Sequence, residues 1–239
     1  MRLQAGDAAS LMVRIPSETV DLIVADPPYN LGKAFGSPED DERRMSWAEY
    51  EEFTRGWLAQ AVRLLKPTGS LYVFMGVGFI ARLFLLLQET FGLTFNSWIV
   101  WHYTQGMGRK RGFSPRHEDI LFFTRSREFT FELDAVRIPQ KYYRRRNNMA
   151  GANPGDVWQF SHIHYCSRER ERHPTQKPEA LMARIIRASS RPGDVMLDPF
   201  VGSGTSCRVA QVLGRRYIGI DLNPDYIRMA EKALTGESS

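Results

Sequence analysis

The sequence predicts an α/β fold: a Rossmann-like, mainly parallel sheet with helices on both faces, plus a basic irregular insertion. Three observations carry this. Short apolar runs (Leu22 to Ala25, Val195 to Leu197, Tyr217 to Ile220) alternate with longer stretches of helical periodicity. Each of these runs ends in an acid: Asp26, Asp198 and Asp221. The second acid opens a glycine-rich turn that leads into a helix, the layout of a nucleoside site. Continuous apolar runs mark strands covered on both faces. Ligands of such sheets sit beyond the strands' carboxyl ends.

Taken in order, residues 1–19 read as a short strand, a turn at Gly6-Asp7 and a helix ending near Pro16. The next strand, Leu22 to Ala25, runs into Asp26-Pro27-Pro28-Tyr29-Asn30. Neither proline has an N–H to donate, so the ladder stops there. Asp26 then stands at a strand end, beside stiff carbonyls expected to lack partners in the chain, with Tyr29 as a flat face. That set suits a planar group bearing an amino group. Alone, it reads equally well as a strand and a proline-rich turn. Residues 30–46 are polar and broken, which predicts a mobile loop in the position of a lid. Ser46 caps a helix to about Leu65 whose Trp47, Tyr50, Phe53, Trp57, Leu58, Ala61 and Leu65 form a core-facing side. Lys66-Pro67-Thr68-Gly69 stops that helix. Ser70 to Met75 follows as a strand, Phe79 to Glu89 as a helix, Phe95 to His102 and Glu118 to Thr124 as strands. Residues 126–172 lose periodicity. Helices then run from Glu179 to Ser189, from the glycine turn to Leu213, and from Pro224 to Leu234.

The 239 residues are 43% apolar and 25% charged, an ordinary globular balance. Cys166 and Cys207 are far apart, which argues against a disulfide scaffold and fits a reducing cytoplasm. His162, His164 and His173 lack the Cys or acid spacing of a zinc site, so no metal is expected. The start shows no signal-peptide pattern. The longest apolar run, around Val77 to Leu87, is interrupted by Arg82 and too short for a bilayer, so no membrane partner is expected. The net charge is +5. From Trp101 to Arg172 there are 14 Lys/Arg against 8 Asp/Glu, a surplus of +6, so the whole excess lies in this segment. A polyanion partner follows. Arg109, Lys110, Arg111, Lys141, Arg144, Arg145 and Arg146 are the candidate contacts, interleaved with Tyr142, Tyr143, Asn147 and Asn148. Such a mixture suits phosphate contact, base stacking and base-edge hydrogen bonding. A solvated basic face would look the same. The chain thus divides into residues 1–103 as one half of a catalytic domain, 104–172 as the basic segment, and 173–239 as the other half.

In the second motif Gly202 and Gly204 allow unusual φ values and close approach to a ligand. Asp221 falls 23 residues after Asp198, at the end of the next strand, where it suits two ribose hydroxyls. The turn is not G-x-G-x-x-G, and no Lys follows it as in a P-loop. Asp198 would repel a pyrophosphate and attract a cation, which favours S-adenosylmethionine over NAD or ATP.

Both motifs resemble those of the DNA amino-methyltransferases. Asp26-Pro27-Pro28-Tyr29 resembles their catalytic motif, and Asp198-Pro199-Phe200-Val201-Gly202-Ser203-Gly204-Thr205 their cofactor motif. Catalytic motif first and cofactor motif last is similar to the β-class order, with the basic segment in place of the target recognition domain. His173-Pro174-Thr175-Gln176-Lys177-Pro178 resembles the element that lies against the cofactor's methionine part, and Gly6-Asp7-Ala8 the element near its adenine. The resemblance implies Asp26, Pro27, Pro28 and Tyr29 as catalytic residues. It implies a cofactor site of Asp7, Ala8, Asp26, His173, Thr175, Gln176, Lys177, Asp198, Pro199, Phe200, Gly202, Ser203, Gly204, Thr205, Asp221 and Leu222. It further implies methyl transfer from S-adenosylmethionine to the exocyclic amine of a base flipped out of double-stranded DNA. Asp in the first catalytic position goes mostly with adenine N6; cytosine N4 is the alternative. An RNA methyltransferase or a non-catalytic binder are the competing classes. C5-cytosine chemistry needs a Pro-Cys nucleophile, whereas Cys166 follows Tyr165 and Cys207 follows Ser206. A homodimer and a cognate restriction endonuclease are further partners the resemblance allows.

Overall fold

The computed structural model describes residues 2–32, 44–104, 106, 108–140, 150–163 and 175–235. Its strands are β1 (Arg2–Ala5), β2 (Val20–Ala25), β3 (Leu65–Met75), β4 (Thr94–His102), β5 (His117–Thr124), β6 (Val157–Gln159), β7 (Val195–Asp198) and β8 (Arg216–Asp221). The helices are α1 (Ala8–Met12), α2 (Trp47–Leu64), α3 (Ile80–Leu85), α4 (Glu179–Ser189), α5 (Thr205–Val212) and α6 (Pro224–Thr235). Among the described residues the strands form one sheet in the order β1-β8-β7-β2-β3-β5-β4-β6. All neighbours are parallel except β5, which runs antiparallel to both β3 and β4.

The alternation of side chains along β2 explains the two cores. Ile23 and Ala25 join a cluster with Met12 of α1, Trp57 and Leu58 of α2 and Leu83 of α3. Leu22 and Val24 point the other way, to Leu181 and Ile185 of α4, Cys207 of α5 and Ala230 of α6. Helices therefore cover both faces, as a largely parallel sheet requires. No helix of the described residues is long and apolar enough to cross a membrane.

Three local differences from the sequence reading have simple causes. Helix α2 ends at Leu64 as expected, but Lys66 to Gly69 are part of β3. Val20 pairs with Leu65 and Leu22 with Ser70, so the extra residues are absorbed as a bulge, where Pro67 needs no ladder partner. The helix expected over Phe79 to Glu89 is α3 followed by a wider π-turn, Leu86–Thr90, which buries Leu86 and Leu87 with Leu83. Within the stretch read as irregular, Val157–Gln159 pair with Val100, Trp101 and His102 at the sheet edge. Three residues are too few to show a period.

Gly219 of β8 leaves no room for a side chain: a Cβ there would lie 2.5 Å from Leu3 and 3.0 Å from Cys207 and Val201. Gly219→Ala is expected to cost about 1–3 kcal/mol by overpacking. A thermal melt should show a Tm lower by about 2–4 °C per kcal/mol; an unchanged Tm would contradict this packing.

Candidate active site

Because β1, β2, β3, β7 and β8 are parallel, their carboxyl ends share one edge of the sheet. Asp7, Asp26, Asp198 and Asp221 lie at or just beyond those ends. The reversed β5 brings its amino end to the same edge, with Asp119 opposite Met75 and His117 opposite His102. Glu118 thus arrives beside Asp26, some 90 residues away in the sequence, and the basic loop between β4 and β5 reaches the same edge.

Asp26 is the hub. Its Oδ1 accepts from the Tyr29 hydroxyl at 2.9 Å, and its Oδ2 from Lys177 Nζ at 2.5 Å. Tyr29 Oη also lies 2.9 Å from Glu118 Oε2, and Lys177 Nζ lies 3.4 Å from the same oxygen. Four side chains from three distant segments therefore close a ring. The Lys177 side chain is 7% exposed, those of Asp26 and Glu118 20% and 18%. Burial pushes the Asp26 carboxyl up; Lys177 opposes this and Glu118 adds to it, leaving its pKa raised. Burial lowers that of Lys177, but the two carboxylates outweigh it and hold the ammonium above its usual value. Burial, then Asp26 and Glu118, pushes the Tyr29 phenol well up, so it stays neutral. The sequence reading missed Glu118: a single acid at the start of a strand carries no local signal.

The proline segment is also held from behind. The Pro28 carbonyl accepts from Tyr50 Oη at 2.5 Å, which corrects the expectation that both proline carbonyls lack partners. No described residue donates to the carbonyl of Pro27. Tyr50 is core, as expected, and a support of the site as well. Asn30, buried and at φ +58°, bonds both backbone groups of Met45 through its side chain (2.7 and 3.0 Å). It ties the two feet of the stretch predicted as a lid; residues 33–43, its body, lie outside the described residues.

The second motif forms a tight turn. Gly202 and Gly204 have φ of 48° and 82°, and a Cβ on Gly204 would meet Ala230 of α6 at 2.7 Å. Asp198 accepts from Phe200 N at 3.0 Å and from the Ser206 hydroxyl. Burial raises its carboxyl to about 7 despite these bonds. Asp221 accepts from Gly202 N and Asn223 N, each at 2.9 Å. Asp7 caps α1 through Ser10 (2.8 Å to its N), ahead of the buried Ala8, and Gly6 N reaches the Asp221 carbonyl at 2.8 Å. Gln176 reaches Thr205, and Thr205 pairs with Ser203 at 3.0 Å. Phe200 packs on Trp57 and Phe53. Pro199 is buried, Thr175 is exposed and Leu222 is 76% exposed. Thus Gln176 and Lys177 bridge the two motifs: one touches the glycine turn and its neighbour touches Asp26.

Arg109, Lys110 and Arg111 are exposed on the β4–β5 loop at this edge, with Phe113 98% exposed beside them. The candidates Lys141, Arg144, Arg145, Arg146 and His173 lie outside the described residues. A cavity of about 330 Å³ opens elsewhere, among Tyr72, Phe122, Phe131, Trp158 and Arg184, and no expected site residue lines it. Charge and strand-end geometry, not concavity, single out the edge.

The arrangement has known counterparts. The family profile described as DNA methylase matches residues 20–232. The chain is 52% identical over 237 residues to the type II methyltransferase M.HpaI of Haemophilus parainfluenzae, covering 99% of this chain and 74% of that protein. It is 39% identical over 246 residues to the DNA adenine methyltransferase YhdJ of Escherichia coli (strain K12), covering 96% and 81%. In fold it is similar to the cytosine-N4-specific PvuII DNA methyltransferase, with a TM-score of 0.79, 19% identity and coverage of 97% and 85%. It is also similar to the M1.HpyAVI–SAM complex, with a TM-score of 0.65, 26% identity and coverage of 97% and 98%.

The Asp198 carboxyl titrates at about 7 when folded, against an ordinary 3.8. Between these values the folded state holds a proton the unfolded chain has lost, so its contribution to stability falls as pH rises, by up to about 1.4 kcal/mol per unit. Asp198→Asn cannot titrate there. Its Tm relative to the wild type should therefore be higher at pH 8 than at pH 5; a constant difference would contradict the assignment.

Proposed function

The chain belongs to the DNA methylase family, the S-adenosylmethionine-dependent amino-methyltransferases of DNA, and on that premise we propose that it methylates the N6 amine of adenine in double-stranded DNA. The observation that carries the catalytic reading is the Asp26 carboxylate next to the Pro27 carbonyl, which accepts from no described residue, at the same sheet edge as the Asp198 turn. Asp in the first catalytic position, together with 39% identity to a relative named as an adenine methyltransferase, supports adenine over cytosine.

The acidic edge fits a cationic cofactor. Asp221 offers negative charge, Asp198 adds its own as it ionises at about pH 7, the glycine turn offers close backbone approach, and exposed Leu222 offers an apolar face to a planar base. No lysine neutralises a pyrophosphate at this turn. When bound, S-adenosylmethionine supplies an electrophilic methyl group.

The protein's task is to make a poor nucleophile attack. An exocyclic amine has its lone pair delocalised into the ring. Tyr29 stacks on the flipped base. Asp26 and the Pro27 carbonyl each accept one N–H, which localises the lone pair as the nitrogen becomes tetrahedral, a stabilisation that grows toward the transition state. Lys177 opposes the burial of Asp26 and so favours the carboxylate form that can accept. Each Asp26 oxygen keeps a lone pair for the substrate while Tyr29 and Lys177 hold the group in place. Residues 1–103 and 173–239 make up the catalytic body together with β5 and β6, which complete its sheet and bring Glu118 to Asp26. The segment 104–172 meets the duplex, with Arg109, Lys110 and Arg111 on phosphates and with the undescribed Lys141 and Arg144 to Arg146 assigned the same role.

The test is transfer of labelled methyl from S-adenosylmethionine to DNA, followed by digestion to nucleosides. N6-methyl-2′-deoxyadenosine is the expected product. N4-methyl-2′-deoxycytidine would change the base assignment, and label only on RNA or on no nucleic acid would overturn the reading. Asp26→Ala should lower kcat by roughly 100–1000-fold. Replacing Arg109, Lys110 and Arg111 by Gln should weaken DNA binding for all sequences and flatten its log–log salt dependence by about 0.9 for each phosphate no longer neutralised. An unchanged slope would remove these residues from the interface.

A further inference from the structure

Tyr29 Oη lies 2.9 Å from both an Asp26 oxygen and a Glu118 oxygen, yet a phenol has one proton to give. Both bonds exist together only when one carboxyl group carries a proton and donates it to the phenol oxygen. Lys177 touches both acids, so with both ionised the ring holds two negative charges and one positive. The ring therefore has room for one more proton, and a neutral phenol sits between the two acids that could hold it. Methylation of an amine releases one proton at the place where Asp26 touches the substrate.

Resting on the function above, we propose that Glu118 is the terminal acceptor of the proton released by the methylated amine, reached through Asp26 and Tyr29. The amine N–H bond breaks with its electron pair left on nitrogen, and Asp26 takes the proton. Tyr29 then accepts a proton from Asp26 as it gives its own to Glu118. Asp26 and Tyr29 return to their starting forms, and the net change is one proton lost by the amine and one gained by Glu118. Glu118, 18% exposed, passes the proton to solvent, and Asp26 is an ionised acceptor again for the next substrate. Besides Lys177, which belongs to the ring, the ionisable groups facing it are Tyr103 just after β4 with Arg116 beside it, and Asp198 at the end of β7. Lys177 carries a fixed positive charge and Tyr103 is held neutral by burial, so neither takes the proton in the neutral range.

Glu118→Gln keeps the shape and a hydrogen-bonding oxygen but cannot accept a proton. In steady-state assays with duplex DNA and S-adenosylmethionine, kcat should fall by roughly 100-fold, as for loss of a positioned acid or base. The KM values should stay within about twofold. The wild-type kcat should rise with pH on an acid limb, where a proton already on the ring blocks transfer; the Gln variant should lose that limb. Glu118→Asp, one methylene shorter, should recover part of the rate and the limb. Where Glu118→Gln does not fold by its melting profile, Tyr29→Phe decides, since it keeps the stacking ring, breaks the relay and should lose the same limb. Wild-type kcat and an unaltered pH profile in the decisive variant would overturn the proposal. An inactive wild type would instead overturn the proposed function itself.

Discussion

One interaction organises the molecule: the buried ion pair between Lys177 and Asp26, 2.5 Å long and bridging 151 positions of chain. A buried pair of this kind contributes little net stability, because desolvating both charges offsets most of their attraction, whereas removing one partner strands the other. Its value is positional. It fixes the segment before α4 against the end of β2, and with it the register between the catalytic motif and the glycine turn that Gln176 touches. It also counteracts the burial that would otherwise favour a protonated Asp26.

The rest of the fold makes that pairing possible. Parallel pairing of β2 with both β7 and β3 puts the two motifs side by side at one edge. The reversal at β5 then delivers Glu118 and a basic loop to the same edge. A wholly parallel sheet would have put the amino end of β5 on the opposite side, away from Asp26. The helices contribute through their aromatic residues. Tyr50 holds the Pro28 carbonyl, and Trp57 and Phe53 brace Phe200, so one helix steadies both motifs.

Much of this was legible in the sequence because it is local. Apolar runs ending in Asp26, Asp198 and Asp221 mark strand ends, and the φ values at Gly202 and Gly204 are those a glycine turn implies. Ser46 makes the capping box its spacing announces. The part that escaped is non-local or too short. Nothing around Glu118 hints that its strand runs backwards, and β6 has only three residues. Asn30 reads as one more polar loop residue until its side chain is seen bonding both backbone groups of Met45. The bulge at Lys66 to Gly69 depends on the partner strand, which a helix-stop signal cannot report.

The most direct test of the central claim is a crystal structure of the protein with a non-reactive cofactor analogue and a duplex containing its target base. The flipped base should lie stacked on Tyr29, its exocyclic nitrogen within hydrogen-bonding distance of Asp26 and the Pro27 carbonyl, with Lys177 still against Asp26. A base whose amine is held by other groups, with Asp26 remote from it, would contradict the account.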